Sequence, residues 1–459
     1  MNRRRFLLAS SSAVISTAPL KGTLQQPALG LEFNLNQVER KQPSNTDSVL
    51  LNFNKFQITP RYINTNEDLS LTIQVTLEDA DTKTINKNIK MSSGEKITKT
   101  DIQPEIPIVI DKINTTKDSL DGTIQITLDH PEIQTKTYNQ SFIITLQFVP
   151  LQARGGDNTF EMVDQGNNVV TENDLGVNET LEDYEGTKYR VHEFTSTGSQ
   201  KFEITNIGDS DGTIEALLVG GGGGGGFSGG EAGGGGGAGG LLYETNISVS
   251  EQSYTVTVGD GGSGLTNDDV PTAENGADST AFGLKAIGGG GGARYNQDGA
   301  NGGSGGGAAD APSVTGGSAL QPSTNGGSGE PGGDSNDHAH GGAGGGGANQ
   351  AGGNAYGGGT SGDGGNGKYF GDIFGENVGE NGDFAGGGAG GGRANSDSPN
   401  PGVGGSGGGG DGGDPDGSSA DNGQPNTGGG GGGGDSSSQS GADGGSGIVL
   451  IRYPIEQTN

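Results

Sequence analysis

Thr213-Ile214-Glu215-Ala216-Leu217-Leu218-Val219 runs without a break into seven consecutive glycines, Gly220 to Gly226. The first part is strand-like, apolar and short, and it is bounded by glycine. The other end of the region mirrors it: Gly447 is followed by Ile448-Val449-Leu450-Ile451-Arg452-Tyr453. So apolar a strand needs a partner, and Leu217-Leu218-Val219 is the obvious candidate. Pairing the two would bring together both ends of everything between them. Further strands frame or interrupt the glycine. Lys188 to Phe194 and Ser199 to Ile204 precede it. Asn246 to Val249 and Tyr254 to Val258 look like a hairpin, and Thr280 to Ile287 reads as one more strand.

Of the 99 glycines in 459 residues, 87 lie within residues 220–447. Such composition ordinarily gives a disordered chain, because glycine loses more backbone freedom on folding than any other residue. Glycine can nevertheless order without an oily core. Extended chains of the polyproline II type turn once every three residues and leave every backbone group free for a neighbour. Without Cβ atoms such rods can approach closely and bond through their backbones, at about 0.5–1.5 kcal/mol net per bond. Gly220 to Gly226, Gly233 to Gly237, Gly288 to Gly292, Gly344 to Gly347, Gly407 to Gly410 and Gly428 to Gly434 are long enough to be inner rods. The stretches rich in Asp, Asn, Ser and Pro between them are expected to be turns.

Five blocks in order carry a resemblance. They are Tyr189 to Gly198; Glu215 to Val219 with its glycines; Tyr254-Thr255-Val256-Thr257-Val258-Gly259-Asp260-Gly261-Gly262; Ala286-Ile287-Gly288 to Gly292; and Ser446 to Tyr453. Together, over about 186–455, they resemble the glycine-rich domain of phage tail fibres and tail-tip adhesins. The resemblance implies a polyglycine-rod bundle on a small β base, displayed outside the cell, with variable loops that touch a receptor or surface.

Upstream, residues 23–150 contain three glycines and alternate apolar with polar residues at period two. Leu69 to Leu77 is the clearest case, and Thr123 to Leu128 and Ser141 to Phe148 repeat it. Leu31 to Leu35, Ser48 to Phe53, Phe56 to Thr59 and Pro107 to Ile110 are shorter candidates. Seven or so short strands fit a β-sandwich of immunoglobulin-like character. His130, between Asp129 and Pro131, reads as a turn residue rather than a base. Residues 151–186 read as a linker or irregular subdomain. The expected fold class is therefore all-β: an N-terminal sandwich over 23–150, then a glycine-rich domain over 187–455 closed by strand 448–453. Essentially no helix is expected outside the leader.

That leader is 1–22. Arg3-Arg4-Arg5-Phe6-Leu7 heads an uncharged stretch to Leu20, with small residues at Ser16-Thr17-Ala18. Length and order are those of an export signal, and the arginines resemble the twin-arginine type, which carries folded proteins. The chain is thus expected at the cell surface or secreted, tethered if the signal stays uncleaved. Phage tail fibres assemble inside their host and carry no export signal, so the leader points to a surface protein or an enveloped-virus spike. With 56 acidic against 25 basic residues, the net charge is -31. This suits molar-salt surroundings, hence a halophilic source, and argues against nucleic acid as a partner. The absence of cysteine excludes disulfides, thiolate metal sites and a Cys nucleophile.

Little else reads as chemistry, so neither an enzyme nor a cofactor is expected. Asp334, Asp337, His338 and His340 have the ligand count for a divalent metal, but they lie in a glycine-rich loop. The same loop, with Asp337, His338 and His340, and the aromatic stretch with Tyr369, Phe370 and Phe374 are the candidate ligand contacts. The aromatics read first as a small local core anchoring rods, with an exposed patch on a binding loop as the alternative. Asn114, Asn139, Asn178 and Asn246 begin Asn-x-Ser/Thr triplets and are candidate glycosylation acceptors. The expected function is adhesin-like recognition of a surface polysaccharide, glycoprotein or other receptor. The alternatives are an acidic glycine-rich matrix component or a virion fibre or spike.

Overall fold

The computed structural model describes the strands and the tight turn at Pro131 within residues 4–148. From 151 onward it describes every residue except 167, 177–178, 208–211, 228, 267–269, 336–340, 358, 394–400, 438–439 and 457–459. The chain divides into two units, Met1–Val149 and Pro150–Thr458. In both, the regular secondary structure is almost entirely strand, as in an all-β chain.

In the first unit the strands are β1 (Arg4–Leu8), β2 (Ser12–Val14), β3 (Ala28–Arg40), β4 (Asp47–Arg61), β5 (Asp68–Leu77), β6 (Lys83–Lys90), β7 (Ile97–Thr98), β8 (Glu105–Ile110), β9 (Ser119–His130) and β10 (Ile133–Phe148). They form one antiparallel sheet in the order β1-β10-β9-β5-β6 and a second in the order β2-β3-β4-β7, with β8 also on β4. The period-two pattern explains the first. Leu71, Ile73 and Val75 stand opposite Leu128, Ile126 and Ile124, and all six are buried. On the opposite face Thr72 bonds Asn86, and Thr127 bonds Thr137. Ser48 to Phe53 and Phe56 to Thr59 are a single strand, β4, against a β3 that absorbs the irregularity with register shifts around Leu35. His130 ends β9 and is buried. The described residues of 1–22 are strand rather than helix. β1 and β2 each stand last in their sheet order, so a chain that lost both would keep every other pairing.

The second unit continues with β11 (Gln152–Arg154), β12 (Asn158–Asp164), β13 (Val169–Thr171), β14 (Thr187–Phe194), β15 (Gly198–Asn206), β16 (Thr213–Val219), β17 (Leu241–Ser248), β18 (Ser253–Val258), β19 (Ser279–Ala281), β20 (Leu284–Ala286), β21 (Gly327–Ser328), β22 (Lys368–Tyr369), β23 (Asp383–Phe384) and β24 (Ile448–Glu456). One sheet has the order β13-β12-β14-β24-β16-β17-β21, another β11-β15-β18-β19-β20, and β22 pairs β23. The two apolar ends of the glycine region do pair: Leu217, Leu218 and Val219 face Leu450, Val449 and Ile448. Their unbroken apolar character follows from burial on both faces. Leu218, Val449 and Ile451 join a cluster with Phe202, Val256 and Val258 of the other sheet. Leu217, Ile448 and Leu450 join a cluster on the opposite face with Phe370, Phe374 and Phe384.

Three expectations are corrected. Residues 151–186 are no linker, because β12 pairs residue by residue with β14. β17 and β18 are not a hairpin. β17 completes the pairing of β16 and β18 that of β15, so the chain changes sheets between them. Thr280 to Ile287 is two short strands around Phe282 and Gly283, both at positive φ, the two-residue turn that suits a tight hairpin.

The glycine runs are ordered by their backbones. Along 220–226, successive N–H groups donate to three neighbours in rotation, at 2.8–3.0 Å. Gly220, Gly223 and Gly226 reach residues 240, 237 and 234; Gly221 and Gly224 reach 277 and 274; Gly222 and Gly225 reach 445 and 442. The carbonyls accept in the same rotation from three other runs, at 289 and 292, 262 and 265, and 431 and 434. Run 220–226 therefore has six hydrogen-bonded neighbours, and its bonding repeats every three residues. None of its glycines has positive φ. Glycine is required here for close approach: a Cβ on Gly225 would lie 1.9 Å from the carbonyl oxygen of Gly432.

The runs containing 233–237, 344–347 and 428–434 show the same sixfold bonding. Gly288 to Gly292 differs, since Gly288 and Gly291 donate to the side chains of Asp278 and Asn275. Gly407 to Gly410 is not a run, because Gly407 and Gly408 sit in a turn with φ of 93° and 88°. The sequence reading passes over 385–392, which is bonded on six sides although Ala389 interrupts its glycines.

Candidate functional site

Run 220–226 and run 233–240 meet at residues 220 and 240 beside the sheets, and at 226 and 234 at the far end. The turns at that far end touch in succession. Asp310 N–H donates to Ala232 O, Arg294 N–H to Pro271 O and Ser436 N–H to Gly392 O. Arg393 ties three of them, with Nη1 2.9 Å from Asp310 and 2.7 Å from Glu231. Val270, Tyr295 and Tyr356 are exposed on this apical end. It is a surface of turns held on a backbone-bonded frame, where chain variation costs least.

The expected site residues fall unevenly. Asp337, His338 and His340 lie outside the described residues, as do Asn114 and Asn178. Asp334 accepts the N–H of Gly316 at 2.9 Å and so braces a neighbouring segment. Among the described residues no three His, Cys, Asp or Glu side chains are grouped to hold a metal. Tyr369 is exposed, and its hydroxyl donates to Glu376 at 3.1 Å. Phe370 and Phe374 are corrected as contact residues. Helix α1 (Gly371–Phe374) lies against the seven-stranded sheet and presses both rings onto Tyr243, with centroids 5.4 and 6.0 Å apart, so both are buried. Asn139 and Asn246 are exposed. Asn139 accepts a bond from Gln125, and Asn246 has a φ of 58°.

Sequence reasoning missed what fixes α1 there. Arg452 of β24, buried, donates to Glu215 at 2.7 Å, to Asp164 at 3.3 Å and to the carbonyl of Ile373 at 2.8 Å. Its guanidinium lies 4.3 Å from the Tyr189 ring centre. Burial opposes its charge, but its neighbours, Glu215 foremost, outweigh this and raise its pKa. The Tyr243 hydroxyl is raised by burial and by donating to Glu215. Across the sheet, His192 has Nδ1 2.7 Å from Gly155 O and Nε2 3.0 Å from the Tyr453 hydroxyl. Burial chiefly, helped by Arg190, lowers its pKa against the bond to Gly155.

Also missed was the work of the acidic and amide residues along the outer runs. Asn275 and Asp278 accept the N–H groups of Gly291 and Gly288. Asp298 and Asn301 accept those of Thr315 and Ser318. Asp363 and Asn366 accept those of Val403 and Ser406. Each pair is three residues apart, one turn of the run, and each side chain supplies an acceptor to a neighbouring run. The signal was present as Asx-Gly-x-Asx, in Asn275-Gly276-Ala277-Asp278, Asp298-Gly299-Ala300-Asn301 and Asp363-Gly364-Gly365-Asn366.

Residues 195–454, more than half of the chain, match the family described as glycine-rich domain. The chain belongs to that family. No curated protein matches it. The matched glycine-rich domain begins at the end of β14 and reaches into β24. It therefore includes every run and the closing strand, but not β11 to β13. An open groove of about 710 Å³ runs along its flank, lined by Glu380, Asp383, Val403, Asp411, Asp421 and Asn422. Burial, and secondarily Glu380, raises the carboxyl of Asp383.

Proposed function

We propose that this protein is an exported, non-enzymatic recognition protein whose glycine-rich domain is a bundle of polyglycine II rods presenting apical turns to another surface. The observation that carries the reading is the threefold rotation of donors and acceptors along 220–226 and its counterparts. Rods bonded on six sides give stiffness without side chains, which leaves the turns to vary and to bind. The contacts are assigned to Tyr295, Tyr356 and Val270. The twin-arginine-like leader supports export already folded, and the first unit, as an immunoglobulin-like sandwich, serves as stalk or docking module. The receptor is a surface polysaccharide, glycoprotein or other surface receptor. Saturable binding of the full chain to cell surfaces, lost in a Tyr295→Ala/Tyr356→Ala variant that stays folded, is the expected result. Binding that does not saturate, or that the variant retains, would instead favour a hydrated matrix component, for which the net charge of -31 speaks. A virion fibre or spike would bind like the recognition protein and differ in being found on particles.

A further inference from the structure

Beside the seven-stranded sheet, well away from the apical turns in sequence and lining, lies a recess of about 240 Å³. One wall comes from β12, the end of β13 and β14, through Asn158, Phe160, Glu172, Asn173 and Glu193; the other comes from Asn377 and Val378. The first wall precedes the residues that match the family, and the second belongs to the excursion that Arg452 holds against the sheet. The recess thus lies between a segment that precedes the matched domain and one within it.

Its chemistry is uniform. The lining contains no Lys, Arg or His. Three carboxamides and two carboxylates stand around the half-buried ring of Phe160. Some of these groups are already fixed. Asn158 Nδ2 donates to Glu193 at 3.2 Å. Asn377 Nδ2 donates to Thr171 Oγ1 at 3.0 Å, and that hydroxyl donates to Asp174. These bonds orient Asn158 and Asn377 and leave the Asn377 carbonyl oxygen and the second Nδ2 hydrogen of Asn158 open. The side chains of Asn173 and Glu172 make no hydrogen bond to other described residues. The open groups therefore include both donors and acceptors, as amides and carboxylates allow, and Phe160 lines the recess with them. With no cation in the lining and a strongly negative chain, anionic ligands are disfavoured. At about 30 Å³ per water, the volume equals about eight waters, room for one small ring rather than an extended chain.

We propose that this recess binds one ring of a neutral, hydroxyl-rich saccharide, stacked on Phe160, with its hydroxyls donating to Glu172 and accepting from Asn173. It does not rest on the apical turns and holds whether or not they bind a surface.

The test applies the full chain to an array of neutral, amino and uronic saccharides and then titrates the best neutral ring compound calorimetrically. Retention of neutral saccharides is expected, with about a tenfold loss of affinity, or about 1.4 kcal/mol, in Asn173→Ala. Asn173 is exposed and outside both cores, so this variant should fold as the parent does, and Glu172→Gln provides a second one. Tyr356→Ala should leave saccharide binding unchanged while weakening attachment to cells, which separates failure here from failure of the apical reading. Retention of no neutral saccharide would overturn the assignment. So would a preference for the cationic amino sugars, or a neutral ligand whose affinity both pocket variants leave intact.

Discussion

The two faces of the second unit reach order by opposite means. Around β16 and β24, side chains do the work: Leu217, Leu218, Val449 and Leu450 are wholly buried, and burying each such side chain is worth about 1.5–3 kcal/mol. A few residues further on, at Gly220, the side chains stop and the backbone takes over, with every N–H of 220–226 bonded to another run. The strands tolerate a change of apolar residue if volume is kept. The runs tolerate no added atom where a neighbouring carbonyl already fills the space. The same chain thus passes from a core specified by shape to one specified by the absence of shape.

Inserting side chains where only hydrogen fits gives the sharpest break. Gly225→Val should disrupt the bundle by more than the roughly 1–3 kcal/mol of ordinary overpacking, because its Cβ meets backbone that cannot turn aside. Gly417→Ala, with nothing within 4 Å of the new Cβ, should cost nothing or stabilise by about 0.4–1 kcal/mol. Thermal melts of the two variants check the contrast. If both behaved alike, close approach would not be why glycine is there.

Next in size is the junction between the two kinds of order. Arg452→Met strands Glu215 and Asp164 and should cost about 3–5 kcal/mol in urea unfolding. It should also raise the fluorescence of Tyr243 or its exposure to quenchers, as α1 loosens. A loss below 1 kcal/mol would mean that the aromatic cluster holds without its cation.

The outer runs sharpen the comparison further, because there a side chain supplies the acceptor that elsewhere comes from a neighbouring run. Asp363→Ala should lose about 0.5–1.5 kcal/mol with the acceptor for Val403, whereas Asp363→Asn keeps an acceptor and should be nearly neutral. Equal losses would show that charge, not hydrogen bonding, is what the acidic residue contributes.

The smallest expected effect is on the strand side. His192 is held neutral, its pKa lowered by burial, so the unfolded chain binds a proton that the folded one does not. Stability is then full above about pH 6.5, the ordinary histidine value, and falls as pH drops toward the lowered folded value, by at most about 1.4 kcal/mol per unit. His192→Gln should flatten that limb of the stability–pH curve. An unchanged curve would remove His192 as its source.

What was legible in the sequence follows the same division. The pairing of 217–219 with 448–450 could be read because burial on two faces writes an unbroken apolar run at each end. Long glycine runs could be read as ordered because they leave every backbone group free for a neighbouring run. Run 385–392 escaped because Ala389 breaks the glycine, although one methyl is accommodated there. Gly407 and Gly408 misled because a turn and a packed glycine run use the same residue for different reasons, positive φ in one and close approach in the other. Phe370 and Phe374 could be read as a small local core, but the sheet they cover was hidden because it is distant in sequence. The Asx pairs went unread because their period of three has meaning only once the runs they cap are in place.

Hydrogen exchange on the full chain in molar salt, resolved to peptides, tests the central claim most directly. The account predicts that the amides of 221–226 and 429–434 exchange as slowly as those of β16 and β24. Exchange at random-coil rates in the glycine runs, with β16 and β24 still protected, would contradict it.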